Sequence, residues 1–204
     1  MPEHSGTHID ALAHQAENLM LHGGVHVDSG VQTSVGFRVL GIDTMAPLVA
    51  RGVLLDVAGP KRLPPDHSIT PEELEKAAGD AGVDVREGDV VLVRTGYGAL
   101  WAEPDAYLKG AGVSAAGSSW MIDRKVMAVG ADNMAWDVIG PTDPELGVTL
   151  PGHVLLLVRA GIPIIENLNL EELASAGVRE FAFICLPLKM RGATGSPVRP
   201  IAIA

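Results

Sequence analysis

The sequence holds a single cysteine, Cys185, so no internal disulfide can form. It sits in an apolar run and reads as a small buried hydrophobe. Aromatic side chains are scarce, at 4% of residues, which leaves few to spare from core packing. Basic residues are outnumbered, 15 Lys and Arg against 25 Asp and Glu, for a formal charge of −10. A chain this acidic has no electrostatic footprint for phosphate backbones or anionic lipid, so nucleic acid and membrane surfaces are excluded as partners. No run of about 18 apolar residues exists to span a bilayer. The longest candidate, 154–158, is far too short. A charged leader followed by an apolar stretch is also missing, so a soluble cytoplasmic protein is expected. Neither G-x-x-x-x-G-K-[ST] nor G-x-G-x-x-G occurs, and Ser196 lacks the G-x-S-x-G setting of a hydrolase nucleophile.

What is present suits one globular domain. The 204 residues are 47% hydrophobic and 20% charged, enough to bury a sizeable core, and 1–204 is read as a single domain. Gly (24) and Pro (14) are spread along the chain, so turns are frequent and no linker block stands out. Apolar runs at 52–57, 90–93, 126–129, 162–165, 181–186 and 198–203 predict strands. Thr70-Pro71-Glu72-Glu73 predicts a helix start with a capping box, running to about 78–81 before Gly82. Helices are also expected over 153–159, closed by Gly161, and over 170–176, closed by Gly177. Strands and helices alternate, yet several connections look too short for crossovers. The fold class is therefore α/β, bordering on α+β, with a mostly buried sheet.

The chemistry concentrates at the start of the chain. Five of seven histidines fall in the first 26 residues, and three lie in His4-Ser5-Gly6-Thr7-His8-Ile9-Asp10-Ala11-Leu12-Ala13-His14. If the chain is extended, His8 and Asp10 share a face. If a helix begins near Ala11, Asp10 and His14 share one too. Gly6 lets the backbone turn so that His4 and His8 converge. Imidazoles with a carboxylate suit Zn²⁺, Mn²⁺ or Fe²⁺. His22, His26 and His67, in Gly-rich and Pro-rich loops, read as ordinary residues.

The segment HSGTHIDALAH resembles the signature H-x-G-T-H-x-D-x-P-x-H of the cyclase family of metal-dependent hydrolases, which includes bacterial kynurenine formamidase and isatin hydrolase. Gly52–Asp56, Gly88–Gly96, Val129–Asn133, Gly161–Leu168 and Gly192–Ala202 are similar to further blocks of that family, so the likeness covers nearly the whole chain. The resemblance implies a swivelling β/β/α fold assembled as homodimers or homotetramers. It implies His4, His8 and Asp10 as metal ligands, Asp10 bridging two ions, and His153 and Glu166 as ligands of the second. His14 would be the catalytic acid/base. The cofactor implied is one or two divalent ions, Zn or Mn. Two departures stand out. Leu12 replaces the signature's proline, and only three residues precede His4, so a segment usual in the family is expected to be lacking.

The reaction these residues predict is hydrolysis of a small-molecule amide or lactam C–N bond by metal-activated water, with His14 shuttling the proton. Trp136, after a predicted strand, is a candidate wall for an aromatic substrate, as are Trp101 and Trp120. Ser196, within Thr194-Gly195-Ser196-Pro197, is a candidate for binding a substrate carboxylate. Two alternatives remain. His8, Asp10 and His153 could form the facial triad of a non-haem iron oxygenase, or the chain could be a catalytically impaired metal-binding homologue.

Overall fold

A computed structural model describes residues 2–204. Eight strands form its main sheet: β1 (His8–Asp10), β2 (Leu48–Asp56), β3 (Val90–Arg94), β4 (Ala128–Ala131), β5 (Ile164–Glu166), β6 (Glu180–Cys185), β7 (Gly195–Pro197) and β8 (Ile201–Ile203). Their order across the sheet is β7-β1-β5-β4-β3-β2-β6-β8. The four central strands are parallel, and each flank is antiparallel. Helix α1 (Pro71–Ala81) joins β2 to β3, α2 (Ala115–Asp123) joins β3 to β4, and α3 (151–160) joins β4 to β5. These crossovers make the centre α/β. The antiparallel flanks account for the α+β character of the sequence pattern.

The sheet must curl. β7 and β8 lie on opposite edges, yet only Val198, Arg199 and Pro200 separate them. Four Cα steps reach about 15 Å at most, whereas eight flat strands at about 4.8 Å spacing would span about 34 Å. Closing that gap brings the edges towards each other.

Alternation along the strands builds a core on each face. Val53, Leu55, Val91, Val93, Val129, Ala131 and Ile164 pack beneath the helices with Leu74, Met121, Leu156 and Leu157. Leu54, Val90, Leu92, Ala128, Ile165, Ile9 and Phe183 line the opposite face. Packing is tight where β2 meets β6: a Cβ at Gly52 would stand 2.2 Å from the Phe181 ring. The α1 start carries the expected capping box, and Gly82 ends the helix in the left-handed conformation.

Several expected boundaries move. The 126–129 strand lies at Ala128–Ala131, and the 162–165 strand at Ile164–Glu166, so Glu166 belongs to the strand itself. The 198–203 strand shortens to Ile201–Ile203, and a separate β7 precedes it. Helix α3 starts at Pro151, and its Val154–Ala160 portion is π-helical. No helix forms near Ala11. The chain makes a single turn there, closed by His14 N–H donating to Ala11 O, while the Ala11 and Ala13 N–H groups donate to Thr194 O and Leu40 O. Among the described residues, no helix is long and apolar enough to cross a membrane.

Candidate metal centre

β1 delivers the first candidate ligands. Its register sets His8 opposite Glu166 on β5, and Ile9 opposite Ile165. His8, Asp10 and Glu166 therefore project from the helix-covered face, while Ile9 anchors the strand in the other core. Burying that isoleucine completely is worth about 1.5–3 kcal/mol. Asp10 pairs with Gly195 on β7. A Cβ there would come within 2.6 Å of His4 Cε1, so glycine is what leaves room for the His4 ring.

The expected ligands converge. His4 Nδ1 lies 2.9 Å and His8 Nε2 3.6 Å from Asp10 Oδ1. His153 Nε2 lies 3.7 Å from Asp10 Oδ2 and 3.3 Å from Glu166 Oε1, and His8 Nε2 lies 3.3 Å from Glu166 Oε2. His14 arrives by a turn, its N–H donating to Ala11 O, and its ring centroid stands 4.3 Å from that of His4 and 5.8 Å from that of His153. Two three-residue sets share Asp10, His4–His8–Asp10 and Asp10–His14–His153, each with ligand atoms within 4.8 Å.

Each of three imidazoles has its other nitrogen engaged. His4 Nε2 meets Thr194 Oγ1 at 3.0 Å, His8 Nδ1 meets Gly6 O at 2.9 Å, and His153 Nδ1 meets Asp137 Oδ2 at 2.8 Å. The carboxylates are the reverse case. Among the described residues, both Asp10 oxygens and Glu166 Oε1 are buried with no hydrogen bond. The short His4–Asp10 approach lacks hydrogen-bond geometry, as expected of two groups aimed at a common point rather than at each other. Leaving such oxygens bare is costly. A divalent cation among these N and O donors would supply the missing partner, so the residues fit the metal.

Charge is balanced by the imidazoles. Burial works against a charge on His153, but the hydrogen bond to Asp137 and the nearby Glu166 carboxylate outweigh it and hold its pKa at about 10. His8 is raised in the same way, burial being outweighed by Glu166, Asp10 and the Gly6 carbonyl. Burial pushes Asp10 up, yet the surrounding imidazoles, His4 first, leave it lowered. His14 is lowered, by burial above all and further by His4 and His153, against the pull of Asp10. Its ring makes no hydrogen bond among the described residues.

Two expected substrate contacts are placed elsewhere. Trp136 is wholly buried in the helix-side core, its Nε1 donating to Ser118 Oγ at 3.0 Å, and it offers no wall to a ligand. Ser196 faces the Ile9 side of the sheet, and its hydroxyl is taken by Leu188 N–H and Pro197 O. Its neighbour Thr194 is the hydroxyl that reaches the site. Trp120 packs on the helix side under Arg124. Trp101, 56% exposed, stacks edge-on against Tyr107 at the rim of a cavity of about 330 Å³ lined also by Thr7, Gly98, Asn167 and Leu168. This cavity lies where the parallel strands end, beside His8 and Glu166, as ligand sites in such sheets do. Asn167, in the left-handed region at φ +56, turns the chain after Glu166 and accepts from Tyr107 Oη at 2.6 Å. Sequence reasoning missed Asp137 and Asn167, because each acts across a long stretch of chain, and offered Thr194 only as one of the hydroxyls around Ser196. His22, His26 and His67 stay outside the cluster, His67 pairing with Glu73.

The chain belongs to the family described as putative cyclase, whose model matches residues 1–138. It is similar to cyclase-like protein 3 of Oryza sativa subsp. japonica, at 28% identity over all of this chain and 63% of that protein. It thus spans under two thirds of that relative's length. Kynurenine formamidase of Polaromonas naphthalenivorans is 27% identical over 88% of this chain and 70% of its own. A solved structure described as a novel cyclase superposes with a TM-score of 0.88 at 31% identity, covering all of this chain and 69% of the other.

Proposed function

We propose that the protein is a metal-dependent hydrolase that cleaves an amide or lactam C–N bond in a small molecule. The observation that carries this reading is the convergence of His4, His8 and His153 on a buried Asp10 whose two oxygens lack hydrogen-bond partners among the described residues, with Glu166 set against His8 and His153. The similarity to a kynurenine formamidase supports the bond class. A divalent cation, zinc or manganese, would be held by His4, His8 and Asp10, with a second on Asp10, His153 and Glu166, and supplies Lewis acidity and an acidified water at neutral pH.

The chain's own residues do the rest. His14, lowered in pKa and with no hydrogen bond to its ring among the described residues, is neutral near pH 7 and accepts the proton of the attacking water. As the C–O bond forms and the C–N bond breaks, it returns that proton to the departing nitrogen, which leaves poorly without it. Asp10 and Glu166 hold negative charge at the reacting end. The cavity beside Trp101 and Tyr107 takes the remainder of the substrate. An oxygenase triad of His8, Asp10 and His153 would leave His4 idle, although it lies within 2.9 Å of Asp10.

The test pairs elemental analysis of protein purified without added metal with a panel of aryl formamides and lactams. His14→Ala is expected to retain its metal and lose 10²–10⁴-fold in turnover, on the order of general acid–base contributions. Loss of metal in that variant would make His14 a ligand, as the Asp10–His14–His153 grouping allows. Absence of metal in the wild type would end the proposal.

A further inference from the structure

His153 is the ligand whose donor nitrogen depends on a distant residue. Its Nε2 faces Asp10 and Glu166, and its Nδ1 lies 2.8 Å from Asp137 Oδ2. Asp137 is buried and accepts twice more, from Gly152 N–H at 2.6 Å and His153 N–H at 3.2 Å. The local chain is shaped for this approach. Trp136 precedes it at φ +50, a backbone state a bulky residue rarely occupies without compensation. At Gly152 a Cβ would stand 2.8 Å from Asp137 Oδ1, so only glycine admits the carboxylate so close to the start of α3.

We infer that Asp137 is a positioning residue of the metal centre: by accepting from His153 Nδ1–H it fixes the tautomer and ring angle that turn a bare Nε2 towards the cation. A carboxylate holding the far nitrogen of a ligating histidine acts in this way. The inference rests on the metal reading of the site. The competing role for Asp137, a plain cap for α3, makes a different prediction. Asp137→Asn keeps an acceptor for Gly152 N–H but puts an amide NH₂ opposite His153 Nδ1. Nδ1 must then accept, and the proton moves to Nε2, where it blocks ligation.

The experiment uses zinc on the full chain. Competition titration against a chromogenic chelator is expected to show 10–100-fold weaker binding in Asp137→Asn than in the wild type. Nitrogen-15 NMR of histidine-labelled, zinc-loaded wild type, with His153 assigned by its loss in His153→Gln, should show the proton on Nδ1. Held by a buried carboxylate, that Nδ1 proton should also lie far downfield and exchange slowly with solvent; this decides the matter if Asp137→Asn fails to fold by circular dichroism, a freely exchanging Nδ1 proton overturning the role. Equal zinc affinity in the two proteins, or a His153 proton on Nε2 in the loaded wild type, overturns the role of Asp137 and leaves the metal site standing. A wild type that takes up no zinc overturns both.

Discussion

Asp10 belongs to both ligand sets, so Asp10→Asn should disable the whole centre at once. The carboxylate lies within 3.7 Å of His4, His8 and His153, and neither oxygen has another partner. An amide there offers one acceptor and turns an NH₂ towards the imidazole nitrogens. The effect reads out in thermal unfolding. At a zinc concentration a thousand times the wild-type Kd, binding stabilises the folded state by about 4.1 kcal/mol. For a domain of this size each kcal/mol shifts the midpoint by about 2–4 °C, so the wild type should gain about 8–16 °C on adding zinc. If Asp10→Asn weakened affinity only a hundredfold, the same zinc would still give about 1.4 kcal/mol, or about 3–6 °C. We expect a shift below that range, with excess chelator returning the wild type to its metal-free midpoint. An Asp10→Asn protein that gains as many degrees as the wild type would refute the reasoning, whatever its activity.

Two further outcomes follow from packing and burial. Gly195→Ala should displace the His4 ring and weaken zinc binding by about 10–100-fold while far-ultraviolet circular dichroism stays unchanged; unaltered affinity would show that the ring has room to spare. Burial pushes the Cys185 thiol up to about 12. The unfolded chain therefore ionises first as pH rises, and this stabilisation, intact below about pH 9, is lost between there and 12 by up to about 1.4 kcal/mol per unit. Urea unfolding at pH 8 and 10.5 should show a smaller loss for Cys185→Ala, and an equal loss in both proteins would contradict the assignment.

The cluster of candidate ligands near the amino terminus is legible because a strand period and a glycine turn gather it within eleven residues. His153 and Glu166 join the candidates only through family resemblance, since nothing in their local pattern sets them apart from ordinary polar residues. The parallel centre could be read from its apolar runs and from the Thr70 capping box. The flanks could not. β1 and β7 are three residues each, rich in polar side chains or Gly and Pro, and exist through pairing with one another and with β5. His14 was expected on a helix because the four-residue spacing allows one. The segment makes a single turn instead, closed by His14 N–H to Ala11 O. Trp136 follows a strand end, where pocket residues gather, but its side chain fills the helix-side core.

The placement of β1 between β5 and β7 has a consequence for synthesis. The strand that carries His8 and Asp10 is made well before its edge partner, with the whole stretch from Ala11 to Thr194 between them. His8 and Asp10 must wait, unpaired on one side, until Gly195–Pro197 has emerged, so this end of the cluster closes after the central strands have been made.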